Sequence, residues 1–372
     1  MTTVVIVGAV VLLLGVGFML FLRMLGRRVV AVSRPRKPVE VRAAADGIVL
    51  PRSVLTEAPG AYGLWFGEDF SEHATVGDVV TSGESTVTRV VSATTTPLPA
   101  AAFPAHWTGH TLRGPEGLDR PWNDVDVPLA GGGVAPAWFF PAEAADAPWA
   151  VHVQGIRTSR LVTLRAVEAA QRAGFASLVI TYRGAGDGAP ASASRLGLDE
   201  WTDLRDAVAY ARSHGASGVV VIAWSMGAGL ALELAQRDPS SVDRLILICP
   251  ATDWRAIIRH GAKQAHLPAF VGSAAIWLLG APVVSRIVGL TRPIDFDALD
   301  WTRAGAVTVP TLVVHSPGDA EIPFALSQRF AAAHVGVVSL VQTKTAPHGW
   351  EPNVDPAGFA AAIDSWLIRA EN

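Results

Sequence analysis

Cysteine is almost absent from this sequence. The 372-residue chain has one, Cys249, inside the apolar run Leu245–Cys249. No disulfide can close within the chain and no cysteine-based zinc site can be assembled, so the thiol reads as a core residue. Charge is scarce too. Only 17% of residues are Asp, Glu, Lys or Arg, and the formal net charge is −3. The basic excess of a general nucleic-acid binder is missing, and nucleic acid is not an expected partner. Half of the chain is hydrophobic, ample for a large core. Its length suggests about two or three domains.

Charge is missing altogether from Val4 to Leu22. A helix over that stretch would span about 28 Å, close to the hydrocarbon thickness of a bilayer. Arg23, Arg27, Arg28, Arg34, Arg36 and Lys37 follow it, whereas only the terminal amine precedes it. A secretory signal carries its positive charge ahead of the apolar core, so this order fits a signal poorly. A dinucleotide-binding loop is the other reading, since Gly8, Gly15 and Gly17 sit among valines. Their spacing is not G-x-G-x-x-G and no ribose-binding acid follows. Residues 1–25 are therefore expected to be a single-pass membrane anchor. The basic flank places the rest of the chain on the cytoplasmic side.

Residues 26–45 look like a basic, proline-containing linker. Residues 46–120 carry short apolar groups, Ile48–Leu50, Tyr62–Phe66 and Thr86–Val91, separated by Gly, Pro and Asp, which predicts a small β-rich accessory region. His106 and His110 have the spacing of metal ligands on one helix face, but Pro104 and Gly109 argue against a helix and for structural roles.

From residue 121 the pattern becomes regular. Val125–Val127 and Ala137–Phe140 flank Gly131–Gly133 as a hairpin would. Strands are then expected at Trp149–Val153, Ala176–Thr181, Val219–Ala223, Leu245–Cys249, Thr311–His315 and Val337–Val341. Amphipathic helices fall between and after them, at Leu161–Arg172, Glu200–Arg212, Gly227–Arg237, Phe324–His334 and Pro356–Arg369. The alternation predicts an α/β fold, a mostly parallel sheet flanked by helices. Residues 252–306 are too long for an ordinary connection and should form a helical cap over the carboxyl ends of the strands, where such sheets bind ligands.

The run Gly218 to Gly229, GVVVIAWSMGAG, carries the strongest chemical signal. Apolar residues as far as Ala223 read as a buried strand, and a small-residue helix starts at Gly227. Ser225 then sits on a tight corner of the small-x-Ser-x-Gly type. Its hydroxyl projects, and the Met226 N–H is free at a helix N-terminus to meet a developing anion. Small residues at 223 and 227 suit a turn that brings them close. A serine nucleophile needs a base, and the base needs an orienting group. Asp319, after the strand Thr311–His315, and His348, after Val337–Val341, follow in the order Ser, acid, His and emerge at the same sheet edge. Glu321 and Asp253 are other candidate acids. His334 is another histidine, although at a helix end it suits a cationic cap, and His315 reads as structural. The loop Gln154-Gly155-Ile156-Arg157 offers a second oxyanion donor, the N–H of Ile156 or of Gly155. Arg157 and Arg160 hold either that loop or an anionic group. Tyr182–Gly188 reads as a floor loop with Arg183 paired internally.

These motifs resemble the α/β-hydrolase superfamily over residues 120–372. The resemblance rests on Ala223-Trp224-Ser225-Met226-Gly227, on Ser316-Pro317-Gly318-Asp319 with Ile322-Pro323, and on Pro347-His348-Gly349. His152-Val153-Gln154-Gly155 is similar to the family's His-Gly-x-Gly loop, with Gln154-Gly155 where Gly-rich sequence is usual. The Tyr182-Arg183-Gly184 loop and the elbow also resemble the serine aminopeptidase and prolyl-oligopeptidase-like branch. The resemblance implies an α/β-hydrolase fold with a cap, acting on a small-molecule acyl substrate without metal or organic cofactor. Ser225, Asp319 and His348 are the expected catalytic residues, with Met226 and Ile156 as oxyanion donors. A carboxylesterase or lipase-like reaction is expected, and apolar cap residues such as Trp277, Leu278 and Leu279 would suit an acyl group. A peptidase-like hydrolase and a non-catalytic binding domain are the alternatives. Ser225 excludes dehalogenase and epoxide hydrolase mechanisms, which need a carboxylate at the elbow. The sequence does not specify oligomeric state.

Overall fold

In the computed structural model the described residues are 2–33 and 37–368. Arg34 and Arg36 of the basic flank, and Arg369 of the last expected helix, lie outside them. The chain opens with helix α1 (Thr2–Val30), whose segment Val5–Val30 has mean hydropathy 2.9. It is the one helix among the described residues long and apolar enough to cross a membrane. Its first half exposes apolar side chains such as Val5 and Leu13, while Leu22 and Val30 near its end are buried. The helix therefore runs past the expected boundary at residue 25. Docking of its last turns against the rest of the protein offsets the basic flank, and α1 ends with Arg27 and Arg28 in its final turn, where cations suit the helix dipole.

Six strands follow, β1 (Val39–Ala44), β2 (Gly47–Pro51), β3 (Tyr62–Phe66), β4 (Glu72–Ser82), β5 (Thr86–Thr94) and β6 (Phe103–Thr108), with a single-turn helix α2 (Val54–Glu57). They close into a barrel in the order β1-β2-β5-β4-β3-β6, so no edge is left to pair with another chain. Alternate residues fill the interior, among them Ile48, Leu50, Leu64, Phe66 and Val76. β1 starts inside the segment expected to be a linker. Buried Arg89 ties the barrel to the segment beside it. Its guanidinium donates to the carbonyls of Thr56, Ala58, Gly60 and Gly77 and stacks near Tyr62 and Trp107.

The remaining strands are β7 (Asn123–Pro128), β8 (Val134–Phe140), β9 (Trp149–Val153), β10 (Ala176–Ile180), β11 (Val219–Trp224), β12 (Arg244–Ile248), β13 (Thr311–His315) and β14 (Val338–Gln342). They form one sheet in the order β14-β13-β12-β11-β9-β10-β8-β7. β7 and β8 pair antiparallel, β8 pairs antiparallel with β10, and every other pairing is parallel. Strands β9, β10, β11 and β13 are buried along their whole length, as continuous apolar runs must be when helices cover both faces. The helices are α3 (Leu164–Arg172), α4 (Trp201–Ser213), α5 (Gly227–Arg237), α6 (Trp254–Gln264), α7 (Ala269–Gly280), α8 (Phe324–Ala333), the short α9 (Glu351–Val354) and α10 (Pro356–Ile368). One face of the sheet packs with Leu204, Leu230 and Leu234 of α4 and α5, the other with Ala166 of α3 and Phe359 of α10. α6 and α7 lie in the long connection between β12 and β13, and α1 docks on α7.

Candidate active site

Ser225 closes β11 and starts the turn into α5. Its backbone lies at φ +53°, in the left-handed region that L residues rarely adopt. Gly227 is required for a specific reason. A Cβ there would stand 2.6 Å from the carbonyl oxygen of Gln154 and 2.9 Å from that of Val153. The crowding is with the end of β9, rather than with Ala223 as the sequence argument had it. Gly155 is forced by the same approach, since its Cβ would meet the Ser225 Cβ at 3.0 Å.

The loops after β13 and β14 bring the other two groups to this corner. His348 Nε2 lies 2.9 Å from Ser225 Oγ, and His348 Nδ1 lies 2.6 Å from Asp319 Oδ2. The carboxylate can only accept, so Nδ1 carries the proton and a neutral ring leaves Nε2 to accept from the serine hydroxyl. Asp319 is held from both sides: Oδ1 accepts the N–H groups of Glu321 and Ile322 at 2.8 Å each, and Oδ2 lies 3.0 Å from His315 Nε2. Burial alone would raise the Asp319 pKa, but His348 and these hydrogen bonds outweigh it and hold the carboxyl far below its usual range. For His348, burial opposes a charge while the Cys249 sulfur and the Asp319 carboxylate favour one, and the net direction is well upward. Burial pushes the Cys249 thiol itself up to about 12, so it is neutral at physiological pH and Asp319 is the partner that acts on His348 there.

The Met226 N–H heads α5, and Ile156 follows Gly155 at the end of β9. Neither N–H donates to another backbone group among the described residues. Ile156 lines a cavity of about 390 Å³ together with Gly155, Ser225 and His348, and with Trp107 and His110 from the end of the barrel, while Met226 is buried next to Ser225 in the chain. A hydroxyl, an imidazole and a buried carboxylate in series, opening on a cavity, is an arrangement suited to nucleophilic attack on a carbonyl.

The other sequence candidates make different contacts. Glu321 reaches Asp319 only through its N–H. Asp253 caps α6 through the Ala256 N–H at 2.9 Å and pairs with Arg329 at 3.1 Å. His334 is buried and is not a cationic cap: its Nδ1 lies 2.9 Å from Phe330 O while its Nε2 accepts from the Val307 N–H at 3.3 Å, a pattern only the neutral ring satisfies. Arg160 stabilises its loop through Asp187 at 2.7 Å, and Arg183 pairs with buried Asp203. His106 sits on β6, packed against Phe70.

Comparison with known proteins agrees with the sheet order. A sequence model of the alpha/beta hydrolase fold matches residues 151–266. A domain of unknown function (DUF8805) matches residues 40–108, the span of the barrel. No curated protein matches in sequence. Among solved structures, the Pyrococcus furiosus esterase Pf2001 aligns with a TM-score of 0.54 at 18% identity, over 69% of this chain and 95% of that one. Another crystal form of it gives 0.53 at 19% identity, over 69% and 94%. DcsB in complex with its substrate analogue gives 0.50 at 18% identity, over 67% and 99%. This chain has the α/β-hydrolase fold.

Three residues near Ser225 escape a reading of the sequence. Cys249 follows β12 at φ +41°, and side-chain atoms of Cys249, Asp319 and His348 lie within 4.8 Å of one another, so the thiol is a neighbour of the imidazole as well as a core residue. Its place directly after a strand next to β11 was the available signal. His315 supports Asp319 and is itself fixed by Ser327 Oγ at 2.8 Å from its Nδ1. Arg165 on α3 donates to Gly349 O at 3.1 Å, to Gly109 O at 3.3 Å and to the Asn353 side chain, which joins the His348 loop to the barrel. No local pattern marks such a residue, because its partners come from three distant segments.

Proposed function

We propose that the protein is a membrane-anchored serine hydrolase that cleaves a carboxylic ester through an acyl-enzyme. The observation that carries this reading is the pair of contacts at His348, 2.9 Å to Ser225 Oγ and 2.6 Å to Asp319 Oδ2. Ser225 Oγ attacks the ester carbonyl as His348 Nε2 takes its proton, and Asp319 stabilises the imidazolium that forms. The carbonyl oxygen becomes an oxyanion facing the N–H groups of Met226 and Ile156. Collapse breaks the bond to the alkoxide, which receives the proton from His348 and leaves as the alcohol. Water, deprotonated by His348, then attacks the acyl-serine. The acid departs and the proton returns to Ser225. The apolar α1 with its basic flank supports a single-pass anchor with the hydrolase domain on the cytoplasmic side.

Turnover of p-nitrophenyl esters of short and long acyl chains by the full chain in detergent tests the reaction. Wild type should release p-nitrophenolate, and Ser225→Ala and His348→Ala should not. Equal release by a folded Ser225→Ala protein contradicts the assignment.

A further inference from the structure

A second cavity, of about 450 Å³, lies between the end of α1 and the helices α6 and α7. Leu25 and Val29 of α1 form one wall, and Ile257, Ala262, Val271 and Ala275 form the other. Its polar lining includes Arg157 and Glu321, and these two residues also line the cavity at Ser225. The two spaces thus adjoin at a shared border. The α1 wall is firmly attached. Leu22, Gly26 and Val30 make one buried stripe of that helix, and a Cβ on Gly26 would lie 2.9 Å from Leu278 Cδ2. Arg23 donates to Ile287 O at 3.1 Å, the Ser194 N–H donates to Val30 O at 2.8 Å, and Arg157 donates to Val29 O at 3.2 Å. Through Arg157 the loop bearing Ile156 is bonded to the end of the apolar helix.

Around that junction the surface is apolar. Phe270 and Trp277 of α7 are 59% and 56% exposed, and Val283 beyond it is 77% exposed. Phe270 packs beside Phe18, a residue of the exposed apolar half of α1. Aromatic and aliphatic side chains grouped beside an apolar helix suit the boundary of a bilayer. The cavity begins at Leu25, two residues after Arg23, the first charge that follows the apolar run.

We propose that this cavity is the acyl-chain site for an ester lipid drawn from the bilayer, with the protein's own membrane helix forming one wall. The ester carbonyl sits at Ser225, the acyl chain passes Arg157 and Glu321, and it lies between α1 and the helices α6 and α7. The substrate class is a long-chain ester resident in the membrane. This inference rests on the serine-hydrolase reading of Ser225.

The test uses the full chain in phospholipid nanodiscs and two fluorophosphonates, one with a short alkyl chain and one with a long chain ending in a photoreactive diazirine. Both should label Ser225, and irradiation of the long probe should mark peptides of α1, α6 or α7. Labelling by the short probe alone, or photoadducts only on the barrel side at Trp65 or Phe70, overturns the inference while leaving the serine chemistry intact. Absence of labelling by either probe overturns both. Ala262→Trp, which fills the cavity remote from the catalytic groups, should lower hydrolysis of p-nitrophenyl palmitate at least about tenfold relative to p-nitrophenyl acetate. An unchanged ratio in a variant that still takes the short probe contradicts the acyl-chain site.

Discussion

The Asp319 carboxylate at His348 Nδ1 favours a charge on the ring and raises its pKa, which has a consequence for pH. A general base must be neutral to accept a proton, and a raised pKa keeps the ring charged to higher pH. The kcat/KM profile should therefore climb with pH along a limb centred above about 6.5, the unperturbed value. A limb centred below that value contradicts the electrostatics described. Asp319→Asn keeps the shape of the side chain but removes the charge and presents an amide to His348 Nδ1. It should lower kcat by about four orders of magnitude with the fold intact, measured by steady-state kinetics beside circular dichroism. A kcat within a few-fold of wild type would remove Asp319 from its role. At this scale the sequence was most informative where chain order carries meaning: Ser225, Asp319 and His348 stand after β11, β13 and β14, in the order serine, acid, histidine. Cys249 and His315 were read as structural because their contacts with the site cross between loops, and single-sequence spacing holds no trace of that.

Among elements, the parallel strands were legible since each is a short, fully buried apolar run such as Val219–Ala223. In the barrel, β2, β3 and β5 showed as short apolar groups, whereas β1, β4 and β6 did not. β4 and β6 mix Thr, Ser and His with apolar residues because only one side faces the barrel interior, and β4 is further disturbed by register shifts between Thr75 and Thr81. The link between barrel and hydrolase domain was equally hidden, and it turns on Arg165 and Asn353. The Asn353 side chain donates to Ala61 O at 2.6 Å and to Gly109 O at 2.9 Å, and its oxygen accepts from Arg165. Burial lowers the Arg165 pKa to about 10, which still leaves it charged at neutral pH. Arg165→Met strands the carbonyl of Gly349 and the side-chain oxygen of Asn353, so it should destabilise the protein by about 3 kcal/mol and release the His348 loop. Differential scanning calorimetry should show a lower Tm, and ester turnover should fall with it. An unaltered Tm would mean that the contact is incidental.

For the whole molecule, the apolar helix is part of the folded body instead of a tether. The basic flank suggested a linker up to residue 45, yet Val30 is buried and β1 begins at Val39. Packing against α7 decided the matter, a tertiary effect that composition does not encode. The exposed apolar half of α1 should keep the chain in the membrane fraction through alkaline carbonate extraction, while detergent should release it as a folded enzyme. Extraction by carbonate alone contradicts a spanning anchor. The central claim, that Ser225 becomes covalently acylated, is tested most directly by intact-mass and peptide mass spectrometry after treating the full chain with a fluorophosphonate. One stoichiometric adduct is expected on the peptide bearing Ser225, absent in Ser225→Ala. An unmodified wild-type protein that is folded, or an adduct that persists in the variant, contradicts it.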